Sequence, residues 1–383
     1  MAAPEQGYAG QVLRLAVPAF LALIAEPLFL LADTAIVGHL GTAQLAGLGL
    51  ASTVLLTVVG IFVFLAYGTT AVVARQLGAG SRRGALEAGV DGAWLAIALG
   101  LAVALPLAVA AQPVCRALGG SGAGLDAAVS YLRIAAFGIP AMLVTLACTG
   151  VLRGLQDTRT PLVAAVAGFS SNALLNVVFV YGFGWGIAGS AIGTVIAQLG
   201  MAAWLILALL HQVRPEGAGL HPHPGRILAA ARDGIPLLVR TLALRAVLVL
   251  TTWVAAGMGV VPLAAHQVTA TIWSFLAFAL DAIAIAAQAL TGRALGAGDP
   301  REARELTTLM VRWGIWCGAG LGVLVLAVHR VLPGLFTGDP AVRSAVAAGL
   351  IVVALGQVVS GYVFVVDGVL IGAGDAPWLA RSM

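Results

Sequence analysis

Four carboxylates of this chain lie inside long apolar stretches, away from the polar segments that separate those stretches: Glu26, Asp33, Asp281 and Asp367. An acidic side chain in the middle of a bilayer is costly unless it is paired, hydrated or protonated, and such residues usually mark an ion or substrate pathway. We therefore expect these acids to bind a proton, a metal cation or a positively charged compound.

Glu26 and Asp33 are seven residues apart. On a helix this spacing turns them by only about 20° and puts them two turns apart on one face, where they could line a water-filled cavity. A carboxylate in such a cavity could load a proton on one side of a membrane and release it on the other. The alternative is that the buried acids form structural ion pairs with Arg240 or Arg245.

Two amides occur in the segment "SNALLNVVFVYG", where Asn172 and Asn176 are four residues apart and share one helical face. Their oxygens, beside a carboxylate, could bind a hard cation such as sodium. The same amides could instead join neighbouring helices by hydrogen bonds.

Composition decides which elements hold these residues. With 61% hydrophobic residues, 9% charged residues and a mean hydropathy of +1.03, the chain is expected to be an all-α polytopic membrane protein. A membrane span needs roughly 20 apolar residues. The chain offers about ten such stretches, near residues 13–37, 46–74, 86–110, 127–151, 161–181, 187–211, 227–256, 263–291, 305–329 and 345–370.

The basic residues predict the orientation. The sequence contains no lysine, and most of its twenty arginines lie at the N-terminus or in every second connecting segment. By the positive-inside rule these segments and the N-terminus are cytoplasmic, and we expect an integral protein of a bacterial-type plasma membrane. The net charge of +4 then reflects topology, so no nucleic acid partner is expected.

One phrase is written twice, as "RQLGAG" from Arg75 and as "RALGAG" from Arg293, and the same offset of 218 residues also matches Pro18 with Pro236. The repeat predicts two lobes, residues 1–217 with spans one to six and residues 218–383 with spans seven to ten. Because the first copy has an even number of spans, the copies are parallel and related by an axis along the membrane normal. The two glycine-rich phrases are expected to be architectural turns at the feet of the lobes.

Residue 383 corresponds to residue 165, so the second copy has no counterparts of spans five and six. The sequence therefore predicts ten of twelve helices and a C-terminally truncated chain. None of the four intramembrane acids is matched by an acid in the other copy, which favours a specific site over a scaffold requirement.

Absent motifs narrow the function. Without lysine there is no phosphate-binding Walker lysine and no Schiff-base lysine, and no metal-protease or nucleophile-elbow motif stands in a credible setting. We expect neither an enzyme nor a cofactor, and energy supplied by an ion gradient.

Three segments carry a family resemblance: "DTAIVGHLG" at 33–41, "LAAHQVTATIWSFLAFALDAIAIAAQALTGRALGAGD" at 263–299 and "DGVLIGAGD" at 367–375. They resemble the multidrug and toxic compound extrusion (MATE) transporters of the DinF-type branch, over essentially the whole chain. The resemblance implies two six-helix lobes around a V-shaped cavity. It also implies export of organic, mostly cationic and amphipathic compounds in exchange for protons or sodium.

The resemblance also implies roles for particular residues. Asp33 matches the coupling aspartate of the first helix, and Asn172, Asn176 and Thr194 match positions around it, so that sodium could bind at Asp33, Asn172 and Asn176. Many relatives have an acid at the position of Asn176, and this departure removes one charge. In the second lobe, Asp367 resembles a cation-linked acid and Asp281 an acid common in the branch. Helix one would adjust near Pro18 or Pro27.

Two other functions remain open from the sequence. A lipid-linked precursor flippase of related fold would place basic residues in the central cavity, where this chain offers more acid. A nonfunctional or partner-dependent fragment is the second alternative.

Overall fold

The computed structural model describes residues 3–382, and over this range the chain is helical. Because lipid offers no hydrogen-bond partners, a spanning segment must satisfy its backbone internally, which a helix does. The helices are α1 (Ala3–Gly38), α2 (Thr42–Ile61), α3 (Phe64–Gly78), α4 (Arg82–Ala117), α5 (Gly122–Ala135), α6 (Ile139–Gly154), α7 (Arg159–Val177), α8 (Gly186–Val213), α9 (Pro224–Gly257), α10 (Val260–Gly296), α11 (Pro300–Val328), α12 (Pro340–Ala373) and α13 (Ala376–Ser382).

Within the described residues these helices form ten stretches long and apolar enough to cross a membrane, as predicted. Helices α2 and α3 make one stretch with a short break, and α5 and α6 make another through the 3₁₀ turn Ala136–Gly138. Most helices extend beyond the predicted limits; α1, for example, starts at Ala3 rather than near residue 13. Hydropathy marks only the lipid-facing length, whereas helical hydrogen bonding continues past it.

The largest apolar core is built mainly by α2 to α8 and includes Leu86, Leu132 and Leu143, each fully buried. A second, smaller core joins α1 to α10, α11 and α12, where Leu15 packs with Leu290 and their neighbours. The largest core also takes in Leu237 of α9, Ile371 of α12 and Leu379 of α13, so apolar packing continues from one predicted lobe into the other. The boundary at residues 217 and 218 stays a prediction.

Helix α1 belongs to both bundles. Its first half packs on α10 through Val12, Leu15 and Ala19. Its second half packs on α7, where Phe29 stacks on Phe169 with ring centroids 5.0 Å apart. Two prolines lie inside this continuous helix: Pro18 within the region that packs on α10, and Pro27 between the two contact regions.

The two lobes meet at one end. Helix α10 packs along α3, whereas it makes at most isolated contacts with α2, which continues α3 toward the opposite end. The lobes are therefore joined at the arginine-rich end, where the α3–α4 and α10–α11 turns lie, and diverge away from it.

Both glycine-rich phrases form tight helix-to-helix turns. The chain reverses through Gly80 at φ 77° and Gly298 at φ 71°, a conformation that glycine adopts without steric cost. The following helices are capped alike, since Ser81 Oγ accepts from the Gly84 N–H and Asp299 Oδ1 accepts from the Arg301 and Glu302 N–H groups.

Glycines also let α11 and α12 approach closely. A Cβ added at Gly314 would fall on the carbonyl oxygen of Gly361, and one added at Gly361 would fall on the carbonyl oxygen of Gly314. Small residues at such crossings permit close backbone packing between membrane helices. By contrast, a Cβ at Gly320, on the same helix α11, would meet nothing within 4 Å.

This difference gives a matched pair of variants. We expect Gly314→Ala to destabilise the purified protein by about 1–3 kcal/mol, because the helices must move apart. We expect Gly320→Ala to be neutral or slightly stabilising, since alanine is the better helix former. Thermal unfolding in detergent measures both, and equal melting temperatures for the two variants would contradict the close crossing.

Candidate functional site

Asp33 is buried, with 4% of its surface exposed, on the second half of α1. Its Oδ1 accepts hydrogen bonds from Asn176 Nδ2 on α7, at 2.5 Å, and from Ser190 Oγ on α8, at 3.0 Å. Three helices therefore meet at one carboxylate.

A second layer of polar side chains surrounds this contact. Asn172 Nδ2 donates to Thr194 Oγ1 at 3.0 Å, and Thr194 shares a hydrogen bond of 3.3 Å with the hydroxyl of Tyr131 on α5. Asn172, Asn176, Ser190, Thr194 and Tyr131 are all buried. We call these five residues together with Asp33 the Asp33 cluster.

The structure thus brings together the predicted Asp33, Asn172, Asn176 and Thr194, and adds two residues that the sequence analysis missed. Ser190 lies four residues before Thr194, so the same helical spacing that paired the two asparagines could have found it. Tyr131 gives no such signal, because it comes from a different span.

Two oxygens of the cluster have no donor within the described part of the chain. The Oδ1 atoms of Asn172 and Asn176 are buried without a hydrogen bond, although an unsatisfied buried acceptor is costly. Neutral amide oxygens and a carboxylate are the ligands that hard cations prefer. The residues present therefore fit an alkali cation, as well as a proton on Asp33.

The end of α7 is shaped to hold α1 in place. Immediately after Asn176 and Val177 the helix widens into a π-helical turn, Val178–Gly182, a distortion often found at functional sites. Tyr181 in this turn donates its hydroxyl hydrogen to the carbonyl oxygen of Ile36, at 2.5 Å. On the α8 side, Gly193 leaves the room that Asn176 Oδ1 occupies.

Glu26 does not join the cluster. Its side chain is exposed, whereas Asp33, two turns later, is buried, and among the described residues Glu26 makes neither a hydrogen bond nor an ion pair. Pro27 stands between the two acids. The helical face that the spacing predicted is therefore exposed at Glu26 and buried at Asp33.

In the second lobe, Asp367 is paired. Arg240 donates from Nε to Asp367 Oδ1 at 2.9 Å and from Nη2 to Oδ2, a two-pronged ion pair between α9 and α12. The guanidinium also lies over the ring of Tyr67, 5.8 Å from its centroid. Of the two possibilities left open by the sequence, Asp367 has the ion pair with Arg240.

Asp281 lies on α10 and makes neither a hydrogen bond nor an ion pair with any of the residues from 7 to 382. Arg245 is exposed and has no ion pair among residues 7–382; its guanidinium lies next to Gly60 of α2. The four predicted acids therefore do not form one site: Asp33 lies in the Asp33 cluster, Asp281 and Asp367 lie in the second lobe, and Glu26 lies apart from both.

We expect removal of one partner of the Arg240–Asp367 pair to be more damaging than removal of both. Their side chains are only 11% and 16% exposed, so Asp367→Asn leaves a guanidinium without its counter-ion and should cost about 3 kcal/mol. The double variant Arg240→Met, Asp367→Asn should recover most of that loss, because it leaves no unpaired buried charge, and Arg240→Met alone completes the double-mutant cycle. Thermal unfolding measures the cycle, with Arg245→Met as the control on the same helix. Additive losses in the double variant would show that the pair is not coupled.

Comparison with known proteins agrees with this arrangement. The MatE family model matches residues 18–178 and again residues 236–383, so its two matches begin at the same offset as the internal repeat. Protein DETOXIFICATION 44, chloroplastic, of Arabidopsis thaliana is 33% identical over 387 residues, covering 97% of this chain and 74% of that protein. DNA damage-inducible protein F of Escherichia coli (strain K12) is 29% identical, covering 96% of this chain and 82% of that protein.

Solved structures show the same fold. A MATE crystal structure in the bent conformation superposes with a TM-score of 0.90 at 21% identity, covering 98% of this chain and 84% of that one. An outward-facing multidrug resistance MATE family transporter of the MOP superfamily superposes with a TM-score of 0.87, also at 21% identity, covering 97% and 84%. The predicted fold is confirmed, and the chain belongs to the MatE family of integral membrane transporters.

Proposed function

We propose that this protein exports organic, cationic and amphipathic compounds across the membrane in exchange for protons or sodium ions, and that Asp33 is the coupling carboxylate. The observation that carries the proposal is the Asp33 cluster: a buried acid held by α7 and α8, beside two amide oxygens that have no donor among the described residues.

Coupling follows from the cost of the buried charge. With a proton or a sodium ion bound, Asp33 and its shell are neutralised, and α1 can pack closely on α7 and α8. Without the ion, the carboxylate favours a more hydrated arrangement of α1. The ion therefore biases α1 between two states, and that bias is what coupling requires.

The construction of α1 supports this mechanism. Because its first half packs on α10 and its second half on α7, a change at Asp33 must be accommodated between the two contact regions. Pro27 lies between them and Pro18 within the first, and proline removes a backbone hydrogen bond and weakens the helix locally. A cationic compound entering from the cytoplasm would then compete for the acids that the ion has left.

The names of similar proteins support the substrate class. Among proteins that resemble this chain, one from Aromatoleum aromaticum is named probable multidrug resistance protein NorM, 31% identical over 92% of this chain and 78% of that protein. The flippase alternative receives less support, because Arg240, a basic residue suited to hold an anionic headgroup, is already bound to Asp367.

Everted membrane vesicles containing the protein test the proposal. We expect a fluorescent cation such as ethidium to accumulate in an energised vesicle. The proton and sodium gradients are then collapsed in separate experiments, and the collapse that releases the cation identifies the coupling ion. Asp33→Asn should lower the accumulation at least about tenfold, since it removes the group that binds the ion.

The matched control is Asp126→Asn, an exposed acid on α5 that lies outside the Asp33 cluster. It should transport as the unmodified protein does. Gradient-driven accumulation that persists undiminished in Asp33→Asn would rule out Asp33 as the coupling group.

A further inference from the structure

The repeated phrase brings the two lobes into backbone contact. At the arginine-rich end, α3 and α10 cross so closely that a Cβ on Gly78 would meet the carbonyl oxygen of Arg293, and a Cβ on Gly296 would meet the carbonyl oxygen of Arg75. The two contacts are equivalent: in each, the first glycine of one repeated phrase lies against the arginine carbonyl of the other.

The two arginines extend this reciprocity. Arg75 Nη1 donates to the carbonyl oxygen of Ala373, at 3.1 Å, where α12 of the second lobe ends. Arg293 Nη1 donates to Gln156 Oε1, at 3.0 Å, just after the end of α6 in the first lobe. At the offset of 218 residues, Leu155 and Gln156 correspond to Ala373 and Gly374, so each arginine reaches the equivalent helix end of the opposite lobe.

Gln156 adopts an unfavourable backbone conformation at this contact. Of the residues from 3 to 382 it is the one non-glycine with positive φ, at 64°, and its counterpart Gly374 has φ 83°. A glutamine is disfavoured in this conformation, whereas glycine is not. Glycine, however, has no side chain to accept from Arg293, so the contact explains why a glutamine stands at this turn.

The seam above the crossing is narrow. Gln288 Nε2 of α10 donates to the carbonyl oxygen of Tyr67 on α3, at 2.5 Å. One turn further along, a Cβ on Gly292 would lie 3.1 Å from the Cβ of Ala74, which is fully buried at the seam. A compound can pass between α3 and α10 at this end only when the lobes separate and the arginine contacts break.

We propose that the two R-x-L-G-A-G turns form a double latch that closes the cytoplasmic side of the transporter. Arg75 and Arg293 are its two bolts, and Gln156 is the positioning residue that sets the strength of the Arg293 bolt. The proposal rests on the export function proposed above, because an exporter must open on this side to load. Since the bolts lie on both sides of one crossing, they break in the same opening step.

Accessibility of Ala74 measures opening without any gradient or substrate. Cys115, Cys148 and Cys317 are replaced by alanine, Ala74→Cys is introduced, and the rate of maleimide labelling is followed in the purified protein in nanodiscs. We expect Gln156→Gly to label about tenfold faster, because the turn keeps a residue suited to positive φ while Arg293 loses its shortest side-chain hydrogen bond and keeps only the 3.4 Å contacts with Gln11 and Glu302. A tenfold change corresponds to about 1.4 kcal/mol.

A second variant moves the rate in the opposite direction. Gln156→Glu gives Arg293 an ionised acceptor, which makes a stronger hydrogen bond, and should label more slowly than the starting protein. Arg301→Gln removes an exposed charge from the same face, where Arg301 pairs with Glu305 at 3.1 Å, and should leave the rate unchanged.

Labelling of Gln156→Gly at the starting rate, or of Gln156→Glu at the starting rate or faster, would overturn the latch. The result is separable from the proposed function. If vesicle transport fails while labelling follows the expected order, the export proposal is wrong and the latch stands; if transport succeeds and the labelling order fails, the latch alone is wrong.

Discussion

The burial of one carboxylate, Asp33, constrains the construction of the first lobe. A buried acid needs donors, and these come from α7 and α8, which must approach each other closely enough for Asn176 and Ser190 to reach the same oxygen. Gly193 makes that approach possible, and the π-helical turn at Val178–Gly182 brings Tyr181 to the backbone of α1. In this arrangement the Oδ1 atoms of Asn172 and Asn176 have no hydrogen-bond donor among the described residues, and oxygens of this kind can bind a cation.

The acid of the second lobe, Asp367, has a different kind of partner. Where Asp33 is held by neutral donors, Asp367 is held by the permanent positive charge of Arg240, since a guanidinium does not release its proton in proteins. The two predicted lobes therefore hold a carboxylate in the membrane in different ways. Asp33 has only neutral hydrogen-bond donors, whereas Asp367 is paired with a permanent cation, and this difference is why the proposed ion exchange is placed at Asp33.

Much of this could be predicted from the sequence, because hydropathy fixes the spans and a fixed offset reveals the repeat. The spacing of Asn172 and Asn176 was informative because both lie on one helix, where position along the chain determines the face. Contacts between distant spans were not predictable in this way: Tyr131 reaches Thr194 from another helix, and only the fold decided that Arg240 rather than Arg245 meets Asp367. The conformation of Gln156 was hidden as well, since its sequence neighbourhood resembles an ordinary helix end.

The division of α1 between two cores has a consequence for biosynthesis. The second half of α1 finds its partner α7 within the same lobe, but the surface formed by Val12 and Leu15 packs on α10, which is synthesised more than two hundred residues later. Because chains are made from the N-terminus and early segments fold first, this surface must remain in lipid without its partner while the intervening helices are inserted. Helix α1 is thus inserted well before its packing is complete, and its contacts with α10 form only when the later helices assemble.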